Sequence, residues 1–213
     1  MKKFPVTNSY SIYFSCDLHP EKPCNFLFWA VDRKNNKYAW DELKISGTAA
    51  TMVQAVRSKL GKLDLVWGVC EKYAETGNQL LDSDRDMQKA LLDPYGDGSN
   101  KGIFTITVHA NPHSVGESIK AVDELWGVDD LIQPPQLFIF DNCVETIRQI
   151  ETYQWDTGVR GIGGLIAKPQ KKDDDFCDCI RIFIKSNPCY VITKHVTLPQ
   201  DETVYDEVLG GIA

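Results

Sequence analysis

The sequence predicts an α/β domain: a mixed β-sheet that opens as an antiparallel meander, continues in parallel strands and carries helices on its faces. Three observations predict it. Three strand-period segments come first, separated by short turns. Strand-like and helix-like segments then alternate, as crossover connections between parallel strands require. The composition, 43% apolar and 25% charged over 213 residues, suits a globular chain long enough to bury one large core.

Residues 10–17 alternate, with Ile12, Phe14 and Cys16 on one face and Ser11, Tyr13, Ser15 and Asp17 on the other. That pattern is a strand delivering Asp17 at its C-terminal end, on the more polar face. Residues 25–32 form a second strand rich in aromatics, 33–36 a turn, and 37–43 a third strand. Ser46 or Thr48 can cap a helix through Leu60, whose apolar face carries Met52, Val53, Val56 and Leu60. Residues 63–69 read as a buried strand, with Cys70 and Glu71 just past its end. Residues 84–92 are helical, 103–108 another strand and 113–126 another helix. After Pro134 and Pro135 comes a strand at 136–140. Asp141 or Asn142 then caps a helix to Tyr153, with Glu145 placed for a capping box.

The rest of the pattern carries the chemistry. Residues 158–167 form a glycine-rich β-hairpin or loop close to the last helix, which runs to Lys185. That helix sets Phe176, Ile180, Phe183 and Ile184 on one face, and Asp174, Asp178, Arg181 and Lys185 on the other. A less regular tail, 189–213, follows a core of about 9–188, and the whole chain reads as one domain without repeats or linkers.

Composition and motifs exclude several classes. The longest unbroken apolar runs, at 102–108 and 137–140, are far short of a bilayer span. The N-terminus starts basic, but no apolar signal-peptide core follows. A net charge of −7 argues against coating nucleic acid by charge alone. The seven cysteines form no Cys-x-x-Cys pair, which indicates a reduced, intracellular protein. Cys177 and Cys179 point to different faces of a helix, and Pro112 disfavours the helix that would align His109 with His113, so a zinc site is disfavoured. Neither a phosphate-binding loop, a dinucleotide fingerprint nor a Gly-x-Ser-x-Gly elbow is present. The five tryptophans read as core or half-buried packing.

Two constellations remain. Asp17 ends one strand, Glu71 follows another, and Asp174, Asp175 and Asp178 cluster where the last helix begins. Hard divalent cations take oxygen ligands, and carboxylates at strand ends and a helix start can meet at one edge of a sheet. Two such ions would activate water and stabilise the leaving oxygen of a phosphodiester. Each acid alone has a plainer reading: Asp174 as a helix cap, Glu71 as a solvated loop residue. Their joint placement favours the metal site. The second constellation is basic: Arg160, Lys168, Lys171 and Lys172 give residues 157–172 a charge of +4, beside glycines that allow a phosphate backbone close. On charge alone, lysines offsetting the aspartates that follow are the better reading.

Three stretches carry a resemblance. The first is Phe14-Ser-Cys-Asp17-Leu-His-Pro-Glu-Lys-Pro, followed by Phe28-Trp-Ala-Val-Asp and Tyr38-Ala-Trp-Asp-Glu42. The second is Leu137-Phe-Ile-Phe-Asp-Asn-Cys143, then Glu145 to Ile150 and Tyr153-Gln-Trp155, and the third, the most specific, is Lys168-Pro-Gln-Lys-Lys-Asp-Asp-Asp-Phe-Cys-Asp178-Cys-Ile-Arg181. Over most of residues 9–186 the chain resembles the C-terminal nuclease domain of the large terminase subunit of tailed bacteriophages, which has an RNase H-like fold. The resemblance implies a three-acid metal site made by Asp17, Glu71 and Asp174, with Asp175 and Asp178 as further ligands. Many relatives read Asp-Pro where this chain has Cys70-Glu71, which leaves Glu75 and Asp64 as alternatives for the middle acid.

The implied activity is cleavage of double-stranded DNA by a two-metal endonuclease, with Mg²⁺ or Mn²⁺ held by the acids. The Arg160, Lys168, Lys171 and Lys172 stretch would position the DNA backbone. The implied partners are double-stranded DNA, a motor ATPase domain absent from this chain, a portal protein and a small terminase subunit. The implied setting is the cytoplasm of an infected or prophage-carrying bacterial cell, with no membrane. Two other readings stand beside it: another RNase H-like nuclease, such as a junction resolvase or hybrid nuclease, and a non-catalytic DNA-docking module with a drifted metal site.

Overall fold

The computed structural model describes residues 1–19, 22–72, 91, 108–109, 115–127, 134–156, 160–161, 164–165, 168–169 and 172–192, with 71–72, 108–109, 155–156, 160–161, 164–165 and 168–169 described by backbone alone. Strand β1 (Ser11–Asp17) pairs antiparallel with β2 (Cys24–Val31), and β2 with β3 (Lys37–Ile45). This is the expected meander. Strand β4 (Leu65–Lys72) lies parallel to β1, β5 (Val108–His109) parallel to β4, and β6 (Leu137–Ile139) parallel to β3. The six-stranded order is β5-β4-β1-β2-β3-β6. The helix expected at 84–92 lies outside the described residues except for Leu91, as does the strand expected at 103–108 except for Val108.

Two central strands are buried on both faces, because helices cover both. On one side α1 (Ala49–Leu60) packs Met52, Val53, Val56 and Leu60 against Ile12, Phe14, Cys16, Phe26 and Phe28. Thr48 caps this helix, its Oγ1 accepting from the Thr51 N–H at 3.3 Å. On the other side two helices cover the sheet, α2 (Val115–Trp126) through Val122, and the C-terminal α4 (Asp175–Lys185) through Phe176, Cys179, Ile180, Phe183 and Ile184. They meet Tyr13, Leu27, Trp29 and Val31 there. Phe183 stacks on the Trp29 ring at 4.2 Å, and the Trp29 Nε1–H donates to Ser15 Oγ at 2.9 Å. Each such large apolar side chain contributes roughly 1.5–3 kcal/mol on burial, so α4 is held firmly against β1.

The more polar face of β1 is therefore not solvated. Its polar atoms are matched by the chain that leaves α4: Tyr13 OH donates to the Cys189 carbonyl, and Ser11 Oγ bonds both the Val191 carbonyl (2.9 Å) and the Val191 N–H (2.7 Å). Through Val191, the start of the irregular tail is thus anchored to the sheet. Gly68 of β4 is required by close approach, since a Cβ there would fall 1.9 Å from the Phe14 ring.

Helix α3 (Val144–Thr152) departs from the expected capping. Its N-cap is Cys143, which makes no side-chain cap, in place of Asp141 or Asn142. Glu42 of β3 caps it instead, accepting from the N–H groups of Glu145 and Thr146 at 2.9 Å each and from Thr146 Oγ1 at 2.6 Å. Glu145 does not close a capping box. Its carboxylate binds Arg148 Nε at 3.0 Å, and that hydrogen bond, more than any other influence, lowers its pKa.

Candidate metal centre

The site begins at two strand ends. Asp17 is the last residue of β1 and half-buried. Cys16 pairs with Cys70 across β1 and β4, so Asp17 and Glu71 are the next neighbours in that parallel register. Glu71 lies within β4, which runs to Lys72, and not beyond the strand end as the pattern suggested. Its side chain is outside the described atoms. Asp64, the alternative middle acid, precedes the opposite end of β4, where its N–H donates to Asn8 Oδ1 at 2.9 Å. An eight-residue strand separates it from Asp17, roughly 25 Å at about 3.3 Å per residue. Glu75 lies outside the described residues.

The N-terminus of α4 reaches the same edge. Cys179 donates to the carbonyl of Asn25 at 3.6 Å, and Asn25 is the direct cross-strand partner of Asp17. Burial and then the Asp17 charge hold the Cys179 thiol well above its ordinary pKa. Asp174 occupies the N-cap position, yet its side chain makes no capping bond to the helix. The plain reading of Asp174 as a cap is thereby removed. Asp175 is the first helical residue, half-buried, and Asp173 just before the cap has a left-handed φ of 52°. Asp178 faces inward: its Oδ1 accepts from Arg181 Nε at 3.0 Å, and Arg181 is 5% exposed. Tyr153 stands beside this group, its hydroxyl pKa raised by burial first and by the Asp178 charge next.

The donors fit a hard divalent ion by their chemistry. They are carboxylates, together with the amide oxygen Oδ1 of buried Asn25, which has no hydrogen-bond partner among the described residues. Burial and then the charges of Asp178, Asp174 and Asp175 push the neighbouring Cys177 thiol up to about 12. Among the described side chains no group of three His, Cys, Asp or Glu gathers closely enough to hold an ion. The Glu71 carboxylate stands outside that set.

Within the glycine-rich segment, the described residues pair antiparallel at β7 (Trp155–Asp156) with β10 (Lys168–Pro169), and at β8 (Arg160–Gly161) with β9 (Gly164–Leu165). Arg160 lies on β8 and Lys168 on β10, Lys171 is outside the described residues, and Lys172 is exposed immediately before Asp173. The pattern missed two residues that shape the site. Gln149 of α3 accepts the buried Phe176 N–H at 2.7 Å, and Arg148 approaches Asp173 at 3.8 Å. Neither has a local sequence signature.

The order of strands and the central pair buried on both faces are those of an RNase H-like α/β fold. Solved structures of the same fold include the nuclease domain of the P22 large terminase, with TM-score 0.60, 16% identity, 88% of this chain covered and 87% of that one. Another is the large terminase (g2p) nuclease domain of bacteriophage SPP1 with bound Mn, at TM-score 0.54, 18% identity and coverage of 84% and 87%. The large terminase of a thermophilic bacteriophage matches at TM-score 0.63 and 18% identity over 87% of this chain, which spans 42% of that protein's length. These similarities bear out, at the level of fold, the resemblance read from the sequence. No protein-family model and no curated protein matches the sequence significantly.

Proposed function

We propose that this chain is a nuclease domain of the viral DNA-packaging kind: a metal-dependent endonuclease that cleaves double-stranded DNA with two divalent ions. One observation carries the reading. Asp17 ends β1, Glu71 lies in the adjacent parallel strand β4, and Asp174 opens α4, whose Cys179 bonds the carbonyl of Asp17's cross-strand partner Asn25, in a fold shared with terminase nuclease domains.

Asp17, Glu71 and Asp174 would hold Mg²⁺ or Mn²⁺, with Asp175 adjoining and the Asn25 amide oxygen available beside Asp17. Such ions, when bound, would supply activation of water at neutral pH and stabilisation of the leaving oxygen. Asp178, which accepts from Arg181 Nε, would contribute charge to the set one turn along α4. Arg160, Lys168, Lys171 and Lys172 hold the phosphate backbone against the acids, which fixes the scissile bond but reads no sequence. The +4 of residues 157–172 directly precedes the acids and so offsets the repulsion a −7 chain presents to DNA. In this reading residues 1–213 are a single nuclease domain that works beside a motor ATPase domain, a portal protein and a small terminase subunit in the bacterial cytoplasm.

The test is incubation of the protein with supercoiled plasmid, Holliday junctions and RNA–DNA hybrid in Mn²⁺. Nicking and linearisation of plasmid that vanish in EDTA, and fall at least about 100-fold in Asp17→Asn and Asp174→Asn, support the proposal. Preference for junctions or hybrid would move the assignment to another RNase H-like nuclease. DNA binding without metal-dependent cutting at any protein concentration would leave a docking module.

A further inference from the structure

Helix α4 needs a cap, and the residue in the capping position does not supply one. Asp174 has the N-cap backbone position, with φ −115° and ψ 5°, and no side-chain bond to the helix N–H groups. Its carboxylate would ordinarily accept the N–H two or three residues on, here Phe176 or Cys177. The Phe176 N–H instead goes to Gln149 Oε1 at 2.7 Å, and both residues are buried, at 0% and 1% exposure. A buried N–H left unbonded is costly, so some acceptor must stand there. A second contact from the same helix, Arg148 to Asp173, reaches the left-handed residue just ahead. Helix α3 is itself fixed by Glu42 of β3.

We propose that Gln149 is a positioning residue of the metal centre: by capping α4 from α3, it releases the Asp174 carboxylate from capping and fixes it toward Asp17 and Glu71. The inference rests on the functional reading above. Without the Gln149 oxygen, the acceptor that the N-cap position offers to the orphaned N–H is the Asp174 carboxylate. Metal affinity and local helix stability would then compete for one side chain.

The experiment measures Mn²⁺ binding to the DNA-free protein by the electron-spin-resonance signal of free Mn²⁺, together with the Mn²⁺ concentration giving half-maximal plasmid nicking. Gln149→Leu keeps the volume and removes the acceptor, whereas Gln149→Glu keeps an acceptor oxygen. Outer partners of metal ligands are typically worth 10–100-fold in affinity. Gln149→Leu should therefore weaken Mn²⁺ binding about 10-fold or more and raise the half-saturating Mn²⁺ in parallel, with kcat at saturating Mn²⁺ changed less. Gln149→Glu should stay within about threefold of the unmodified protein in binding. A Gln149→Leu protein that melts at a lower temperature but binds Mn²⁺ normally overturns the inference, since the bond is then structural only. If Gln149→Leu does not fold, Gln149→Glu decides: folded protein with lost Mn²⁺ affinity overturns it, and retained affinity supports it. When the unmodified protein neither binds Mn²⁺ nor nicks DNA, the functional reading fails and carries this inference with it. Normal behaviour of the unmodified protein beside an unaffected Gln149→Leu sinks this inference alone.

Discussion

Asp32 shows how one side chain sets a turn on which distant chain then rests. Its Oδ1 accepts the N–H groups of Lys34 (2.8 Å) and Asn36 (2.9 Å), and its Oδ2 accepts from Asn36 Nδ2 and the Tyr38 hydroxyl. The same turn offers Asn35 Oδ1 to the Tyr190 N–H at 2.7 Å. Burial alone would raise the Asp32 pKa, but the Asn36 side chain and the backbone N–H groups outweigh it, and the folded value lies below 3.8. A depressed carboxyl stabilises above its unfolded pKa, and this contribution is lost as pH falls through the folded one. Asp32→Ala should cost about 1–2 kcal/mol at pH 7. The difference from the unmodified protein should shrink below pH 3.8, as urea midpoints taken across pH 2.5–7 would reveal. A pH-independent difference would mean that the neutral acid holds the turn equally well.

Among elements, α3 links the sheet to the candidate site. Its first N–H groups are satisfied by Glu42 from β3, and its Gln149 satisfies the first turn of α4. A helix N-terminus presents four N–H groups, and a local cap answers only one or two of them. Hydrogen bonds to a charged acceptor are worth about 1.5–3 kcal/mol. Glu42→Ala should therefore lower unfolding free energy by about 2 kcal/mol or more, with Glu42→Gln in between, measured by chemical denaturation. An effect under about 0.5 kcal/mol would show that α3 is fixed by its packing alone.

At the scale of the whole molecule, net charge is less informative than where the charges lie. Asp173, Asp174, Asp175 and Asp178 crowd one helix start, and residues 157–172 before them carry a charge of +4. An ion bound only by the folded state stabilises it by mass action, by about 2.7 kcal/mol at a hundredfold excess over Kd. Mn²⁺ should thus raise the unfolding midpoint, EDTA should remove the increase, and Asp17→Asn should abolish it while leaving the metal-free protein at least as stable. Equal stabilisation of Asp17→Asn and the unmodified protein by Mn²⁺ would place the ion elsewhere. Among the described residues no helix is long and apolar enough to cross a membrane.

What the sequence by itself determined were the features written in short-range spacing. The alternation of Ser11 to Asp17 yields β1 with Asp17 at its end, Thr48 caps α1, and the 3.6-residue period of Phe176, Ile180, Phe183 and Ile184 yields the buried face of α4. These depend on neighbours within one turn or two strand residues, which local sequence encodes. The tertiary structure decided that Glu71 lies inside β4 beside Asp17, that Asp64 sits at the far end of that strand, and that Arg181 is buried against Asp178. It also decided that Glu42 caps α3 across more than 100 residues and that Gln149 caps α4 from 27 residues away. A buried N–H requires an acceptor but not one from its own neighbourhood. Only packing chooses which distant side chain arrives.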